Sequence, residues 1–199
     1  MDLRTALLQG QKLLEDANIA APRLTAEVLL AHAIGCDRAW LYAHSIDELR
    51  EVWWIHYGRY LHQRLGGTPT QHITGRQEFY GRMFRVSPDV LIPRPETEHV
   101  IEAALERCRD ARTIVDIGTG SGCIAVTLAL EIKVRVIATD ISVAALRVAS
   151  GNVRDLGADV RLVCCDLGSA LADGSFDLVV SNPPYIAERD AATLEREVR

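Results

Sequence analysis

The spacing of hydrophobic positions changes at about residue 68 of this chain. Before that point, apolar side chains recur at three-, four- and seven-residue intervals, as at Leu3, Leu7 and Leu14, which is the spacing of one buried face of an α-helix. Residues 1–67 are therefore predicted to form a helical domain. Within it, Asp2 is expected to cap the start of the first helix, Pro22 to lie in the first turn of the second helix, and Gly35 to end that second helix.

Residues 68–95 carry prolines and glycines between short runs that favour β-structure. Two of these runs, "QEFYG" and "MFRVS", lie around Gly81 and predict a short antiparallel hairpin. A further helix is expected to open at Glu96 or Thr97. We interpret this segment as a structured connector between the helical domain and a third region, residues 96–199.

In that third region, apolar runs typical of buried strands alternate with helical segments. The strands are expected at "TIVDIG", "VRVIATD", "DVRLVCCD" and "SFDLVVS". Strands that alternate with helices of about ten or more residues form a parallel sheet joined by right-handed crossovers. The predicted fold class is α/β, a helical domain followed by a Rossmann-like domain, and ligands of such sheets bind at the carboxyl ends of the strands.

The first of these strands ends in the glycine-rich loop "DIGTGSG". Such a loop lets backbone approach a ligand closely above a helix N-terminus. A phosphate-binding loop would end in Gly-Lys-Ser or Gly-Lys-Thr, and a dinucleotide loop would have a third glycine where Cys123 stands, so neither is favoured. The candidate cofactor-binding residues are Asp116, Gly118, Thr119, Gly120, Ser121 and Gly122. Asp116 is expected to orient the loop and to approach an ammonium group.

Acidic residues close the next two strands. Asp140 is placed to accept both hydroxyls of a ribose. Asp166 is placed to accept from an exocyclic amine, and its neighbour Leu167 to pack on a purine face. The alternative role for either carboxylate is a helix N-cap. A ligand with a ribose and an adenine but no phosphate fits these residues and the loop together, and S-adenosylmethionine is the candidate.

The fourth strand ends in "NPPY", Asn182 to Tyr185. Asn182 offers a side-chain carbonyl oxygen and Pro183 a backbone carbonyl, while prolines have no N–H to compete as donors. Acceptors directed at an NH₂ group would orient it and favour charge developing on its nitrogen during methyl transfer. The substrate-binding prediction covers Asn182, Pro183, Pro184 and Tyr185, of which Asn182, Pro183 and Tyr185 are predicted catalytic and Asn182 also cofactor-binding. The alternative is a turn that only ends the strand.

Composition narrows the set of partners. The 199-residue chain has a formal net charge of −5 and lacks a cluster of Lys and Arg near 182–199, which disfavours direct nucleic acid binding. Its apolar runs fall far short of the about 20 residues that span a bilayer, and its charged, amphipathic start is unlike a secretory signal. We expect a cytoplasmic monomer without membrane contact. The five cysteines form no C-x-x-C pair, and no metal site is predicted.

These motifs together resemble those of the release-factor glutamine methyltransferases. The resemblance is carried by "PRPETE" (93–98), "DIGTGSG", Asp140 and "NPPY", and "TPTQHITGRQEFYG" (68–81) is similar to the family's connector. It implies that residues 96–199 form a class I methyltransferase domain. It also implies transfer of methyl from S-adenosylmethionine to the side-chain amide nitrogen (N5) of the glutamine in the Gly-Gly-Gln motif of peptide chain release factors. The helical domain 1–67 would help to dock that protein substrate.

The chain departs from the family's pattern in two places. His72 stands before the connector isoleucine, where the family usually has an aromatic residue. The family also continues beyond the position of Arg199 with elements that complete the methyltransferase sheet. We therefore expect a C-terminally truncated chain whose fourth strand lies at an exposed edge, and such edges promote aggregation. Residues 1–199 alone are expected to be poorly soluble or weakly active.

Three other functions remain open. The first is methylation of adenine N6 in nucleic acid, since adenine methyltransferases use similar Asn/Asp-Pro-Pro-Tyr motifs, although they must also flip a base out of its stack. The second is methylation of a glutamine on a ribosomal protein. The motif "PRPETE" favours the release factor over both. The third is a non-catalytic fragment that binds the cofactor or a partner.

Overall fold

The computed structural model describes residues 1–107 and 111–183. It divides into two compact units, Met1–Thr74 and a second unit that begins at Gly75. The expected boundary at residue 67 lies earlier than this division, because a short helix, Thr70–Thr74, packs against two helices of the first unit. The assignment of 1–67, 68–95 and 96–199 as functional domains stays a prediction.

The first unit is helical, as expected. Its helices are α1 (Leu3–Asp16), α2 (Pro22–Ile34), α3 (Arg38–Ala43), α4 (Glu51–Leu65) and α5 (Thr70–Thr74). The predicted helix boundaries are confirmed, since the Asp2 carboxylate accepts from the Thr5 N–H at 2.7 Å and Pro22 opens α2. Gly35 ends α2 in the left-handed conformation that glycine favours. Leucines, alanines and Tyr57 form the core of this unit.

Gly10 of α1 lies where any side chain would collide with Tyr57 of α4. A Cβ built at Gly10 would lie 1.9 Å from Tyr57 Oη, and both residues are buried. We expect Gly10→Ala to lower the free energy of unfolding by about 2–3 kcal/mol, because a well-packed core accommodates an added methyl only by displacing its neighbours. Chemical denaturation monitored by far-UV circular dichroism measures this change.

Gly58→Ala is the matched control for that substitution. Gly58 also lies inside a helix, α4, but a Cβ there would meet nothing within 4 Å in the part of the chain that the structure describes. Its replacement should raise the free energy of unfolding by about 0.5–1 kcal/mol through the helix preference of alanine alone. Equal effects of the two substitutions would contradict the tight approach of α1 to Tyr57.

The second unit opens with the predicted hairpin. Strands β1 (Arg76–Phe79) and β2 (Arg82–Arg85) pair antiparallel across a turn that contains Gly81. A 3₁₀ turn, Pro95–Thr97, then leads into helix α6 (Glu98–Arg107). The helix expected from Glu96 or Thr97 thus becomes α-helical slightly later, because its first turn is wound as 3₁₀, which is common at helix starts.

The remaining elements of the second unit form the expected parallel sheet with its helices. They are β3 (Ile114–Ile117), α7 (Cys123–Ile132), β4 (Val136–Asp140), α8 (Val143–Leu156), β5 (Val160–Cys164) and β6 (Leu178–Ser181). The strand order is β5-β4-β3-β6, and every neighbouring pair is parallel. The chain steps outward from β3 to β5 and returns to the other side of β3 for β6. The carboxyl end of β3 is therefore a topological switch point, where ligands of such sheets bind.

Within the described residues, β6 pairs with β3 alone and so lies at an edge of the sheet. Val179 on this strand is 58% exposed. The expected edge position agrees with this arrangement, and the expected effect on solubility stays a prediction. Among the described helices, none combines the length and apolar content that a membrane crossing requires.

Candidate functional site

The loop between β3 and α7 is shaped by three glycines in a conformation that residues with a Cβ rarely adopt. The φ angles of Gly118, Gly120 and Gly122 are 74°, 56° and 81°. Among the described residues, a Cβ at Gly118 or Gly120 would meet nothing within 4 Å, whereas one at Gly122 would lie 3.2 Å from the Cβ of Ala149. The first two glycines therefore border open space at the strand ends, and the third lets α7 and α8 pack closely.

Thr139, within β4, connects the loops that follow the two neighbouring strands, β3 and β5. Its carbonyl oxygen accepts from the N–H groups of Gly118 and Thr119, each at 2.9 Å. Its buried hydroxyl donates to the Leu167 carbonyl at 2.8 Å. Sequence reasoning missed Thr139, although a polar residue at a buried strand position just before Asp140 was a signal that it has a polar partner.

The Asp140 carboxylate is anchored by two backbone amides. Oδ2 accepts from the Gly120 N–H and Oδ1 from the Ser142 N–H, both at 2.9 Å. Ser142 itself caps α8, since its hydroxyl oxygen accepts from the Ala145 N–H. The alternative role of Asp140 as a helix N-cap is therefore wrong. A carboxylate oxygen has two lone pairs, so each oxygen keeps capacity for a ribose hydroxyl.

Asp166 and Leu167 lie beyond the end of β5, which stops at Cys164. No helix begins after Asp166 within the described residues, so its N-cap alternative is also wrong. Leu167 has a φ of 49°, a strained value for a bulky residue. Its carbonyl is held by the Thr139 hydroxyl, and its side chain is 70% exposed. An apolar side chain held out at the strand ends suits the expected contact with a purine face.

Asp116 is fully buried beneath the glycine loop, and one of its oxygens has no hydrogen-bond partner among residues 1–107 and 111–183. Oδ2 accepts from the Thr119 hydroxyl at 2.6 Å, while Oδ1 has no contact of hydrogen-bond geometry within the described residues. Burial raises the pKa of this carboxyl to about 6, and the Thr119 hydroxyl and the nearby Ala125 N–H only partly offset that effect. A buried unpaired acceptor costs about 1–3 kcal/mol, and a bound cationic group would relieve that cost.

Asn152 of α8 holds the glycine loop by hydrogen bonds from its side chain. Its side-chain N–H groups donate to the carbonyls of Ser121 at 2.8 Å and Arg85 at 3.0 Å, and its Oδ1 accepts from the Arg85 N–H at 2.7 Å. The side chain thus ties strand β2 to the glycine loop. Sequence reasoning missed Asn152, whose signal is its place on the buried face of α8 beside Ala145 and Ala149.

Asn182 reaches the same edge of the sheet from β6. Ser181 pairs with Ile117 at the end of β3, and its hydroxyl donates to the Ile117 carbonyl at 2.8 Å. Asn182 follows at the level of Gly118, and its Nδ2 donates to the Thr97 hydroxyl oxygen at 3.1 Å. Pro183 is exposed. The predicted site residues Pro184 and Tyr185 lie outside the described residues.

Comparison with known proteins decides the family. The model described as "PrmC N-terminal domain" matches residues 5–75, and the one described as "Methyltransferase small domain" matches residues 97–197. A release factor glutamine methyltransferase of Koribacter versatilis is 48% identical over 100% of this chain and 72% of its own length. That of Bordetella pertussis is 45% identical over 92% of this chain and 69% of its own length. The chain belongs to the release factor glutamine methyltransferase family.

Membership in the release factor glutamine methyltransferase family confirms the expected fold class and the expected use of S-adenosylmethionine.

Among solved structures, a methyltransferase of Pyrococcus furiosus has a TM-score of 0.47 and 24% identity, over 54% of this chain and 55% of that chain. Within residues 1–107 and 111–183, no group of three or more His, Cys, Asp and Glu side chains is arranged to hold a metal ion.

The described residues fit S-adenosylmethionine as this family uses it. Within the described part of the chain, Asp116 Oδ1 is an unpaired acceptor, and Gly118 and Gly120 leave room for a ligand beside their backbone. Asp140 and Leu167 present an acceptor and an apolar face at the next two strand ends. Which of these residues contacts which part of the cofactor stays a proposal.

We expect the affinity for S-adenosylmethionine to weaken when Asp116 is protonated. Its pKa of about 6 keeps the carboxylate mostly anionic at pH 7, where the ligand's ammonium group is still largely protonated and the Kd should be lowest. Below the pKa, the Kd should rise by about tenfold for each pH unit, because the proposed acceptor for the ammonium group loses its charge. Isothermal titration calorimetry between pH 5 and pH 7 measures this dependence.

Asp116→Asn is the control for that titration, because it should bind weakly with a Kd that does not change across the same range. The ligand-free protein should show the opposite trend in stability. Since the native pKa lies above the ordinary value of 3.8, the native state binds more protons, and the free energy of unfolding should fall as pH rises from about 4 to about 6. A wild-type Kd unchanged down to pH 5 would contradict the assignment.

Proposed function

We propose that this protein transfers a methyl group from S-adenosylmethionine to the side-chain N5 of the glutamine in the Gly-Gly-Gln motif of peptide chain release factors. Family membership supports this proposal. The observation that carries it is the placement of Asn182 directly after β6, level with the glycine loop that follows β3. This placement supports a role for Asn182 as an acceptor for an NH₂ group beside the proposed cofactor loop. The helical unit is proposed to dock the protein substrate.

The residues that would hold the cofactor are distributed over the strand ends. S-adenosylmethionine, when bound, supplies an electrophilic methyl group. Asp116 accepts from the ammonium group, and the backbone at Gly118 and Gly120 lies along the ligand. Asp140 accepts from the ribose hydroxyls while it keeps its bonds to the loop. Leu167 covers one face of the adenine, with Asp166 beside it as acceptor for the exocyclic amine.

Asn182 and Pro183 act on the substrate. The nitrogen of a carboxamide is a poor nucleophile, because its lone pair is delocalised into the carbonyl. Asn182 Oδ1 and the Pro183 carbonyl accept hydrogen bonds from the substrate NH₂ and turn it toward the methyl group. These preoriented acceptors also stabilise the positive charge that develops on nitrogen. The methylated nitrogen is then acidic enough to release its proton to solvent, so a strong general base is not required.

A methyl-transfer assay with three substrates tests this proposal. The protein is incubated with labelled S-adenosylmethionine and either a release factor, a ribosomal protein or DNA, and products are mapped by mass spectrometry. We expect label only on the release factor, at the glutamine of Gly-Gly-Gln, and none on a release factor in which that glutamine is alanine. Label on the ribosomal protein or DNA instead would overturn the substrate assignment. Cytoplasmic location, a monomeric state and the absence of direct nucleic acid binding stay predictions.

A further inference from the structure

The segment "PRPETE" contains a residue that contacts the proposed substrate cradle, which is formed by Asn182 and Pro183. Thr97, at the end of the 3₁₀ turn, is 6% exposed, and its hydroxyl oxygen accepts from Asn182 Nδ2 at 3.1 Å. This contact joins the start of α6 to the end of β6, two elements that also pack against each other. The side chain of Thr97 therefore bears directly on the orientation of Asn182.

The turn that carries Thr97 is itself fixed. The Thr97 N–H donates to the Arg94 carbonyl at 3.0 Å. The next residue, Glu98, accepts from the Tyr80 N–H at 2.8 Å and so ties the turn to the β1–β2 hairpin. Because the backbone of Thr97 and the next residue are held in this way, the turn has little freedom to follow Asn182 if the asparagine rotates.

We propose that Thr97 is a positioning residue that holds the Asn182 amide with its NH₂ group turned away from the substrate and its carbonyl oxygen presented to it. This inference rests on the proposed function. The two ends of a carboxamide have nearly the same shape but opposite hydrogen-bonding character. With Nδ2 bound to Thr97, Oδ1 is on the other side of the amide. The reverse orientation would direct a donor at the substrate NH₂, which is itself a donor.

A threonine hydroxyl can both donate and accept, so the decisive test must report which atom of the amide it holds. Hydrogen exchange of side-chain amides, followed by NMR on the ¹⁵N-labelled protein, provides that report. The Asn182 signal is assigned by its loss in Asn182→Ala. We expect its Nδ2 protons to exchange about five- to tenfold more slowly in the wild type and Thr97→Ser than in Thr97→Val, because one hydrogen bond is lost. Equal exchange in all three would overturn the proposal.

Kinetics test the consequence for methyl transfer. Thr97→Val keeps the shape of the side chain but removes the hydroxyl, and it should lower kcat by about 10- to 100-fold through misorientation of the substrate amide. The Kd for S-adenosylmethionine should change by less than about twofold, since the hydroxyl makes no proposed contact with the cofactor. Thr97→Ser should restore most of kcat. An unchanged kcat in Thr97→Val, or a rise in the cofactor Kd equal to the loss in kcat, would contradict a positioning role.

Thr127→Val is the matched control. Thr127 is fully buried in α7, and its hydroxyl has no hydrogen-bond partner within the described residues. Its loss should leave kcat and the exchange of Asn182 unchanged. If the wild-type protein methylates none of the three substrates, the proposed function fails; the exchange data, which need no substrate, then decide whether Thr97 holds Asn182.

Discussion

Asn182→Ala is expected to lower kcat for release-factor methylation by about 100- to 1000-fold, the range seen when a preorganised hydrogen-bonding group is removed from an active site. The side chain is half-buried, and its Nδ2 is bound to Thr97, so Oδ1 is the atom left for the substrate. Alanine offers no acceptor, and the substrate amide would lose both its orientation and the stabilisation of its developing charge. Single-turnover kinetics with saturating S-adenosylmethionine measure the loss.

The same substitution should leave cofactor binding nearly intact. The groups proposed to hold S-adenosylmethionine most firmly belong to the loop after β3 and to Asp140, so the Kd measured by calorimetry should change by less than about threefold. Ser181→Ala is the neighbouring control, because it removes a bond to the Ile117 carbonyl without removing an acceptor for the substrate, and its kcat should stay close to that of the wild type. Retained turnover in Asn182→Ala would contradict the proposed role of Asn182 in orienting the substrate amide.

The sequence predicts the architecture of the second unit because its signals are local. Apolar runs such as "TIVDIG" and "VRVIATD" indicate buried strands, and the glycines between strand and helix indicate a loop that backbone geometry requires. The same reasoning places the loop, Asp140 and Asn182 at one edge of the sheet, since the carboxyl ends of parallel strands meet there. The structure agrees with each of these placements.

Contacts between distant segments were not predictable in this way. Thr97 and Asn182 are 85 positions apart, and no periodicity links a 3₁₀ turn to the residue after a strand. The partners of Asn152 lie in β2 and in the glycine loop, so its role depends on how α8 packs rather than on its own helix. The left-handed conformation of Leu167 likewise follows from the loop it closes, and leucine gives no signal for it.

Asp140→Ala should have the opposite kinetic signature from Asn182→Ala. We expect the Kd for S-adenosylmethionine to rise by about 100-fold or more. The two proposed hydrogen bonds from the ribose hydroxyls to the charged carboxylate are lost, at about 1.5–3 kcal/mol each. At saturating cofactor, kcat should fall by less than about tenfold, since the substrate cradle is intact. Asp140→Asn, which keeps one acceptor oxygen, should be intermediate. Calorimetry gives the Kd, and initial rates against cofactor concentration give KM and kcat separately.

Asp177→Ala separates loss of the ribose contact from a general loss of structure. Asp177 also accepts from two backbone amides, those of Arg112 at 2.9 Å and Thr113 at 3.0 Å, but it does so at the amino ends of β3 and β6. Its removal should lower the free energy of unfolding without changing the cofactor Kd. If Asp140→Ala acted only by releasing its bonds to Gly120 and Ser142, the Kd would rise in both variants in proportion to the free energy of unfolding that each one loses. A Kd that rises only in Asp140→Ala shows that Asp140 contacts the ligand. An unchanged Kd in that variant would contradict the ribose contact and leave Asp140 with the structural role of holding the glycine loop.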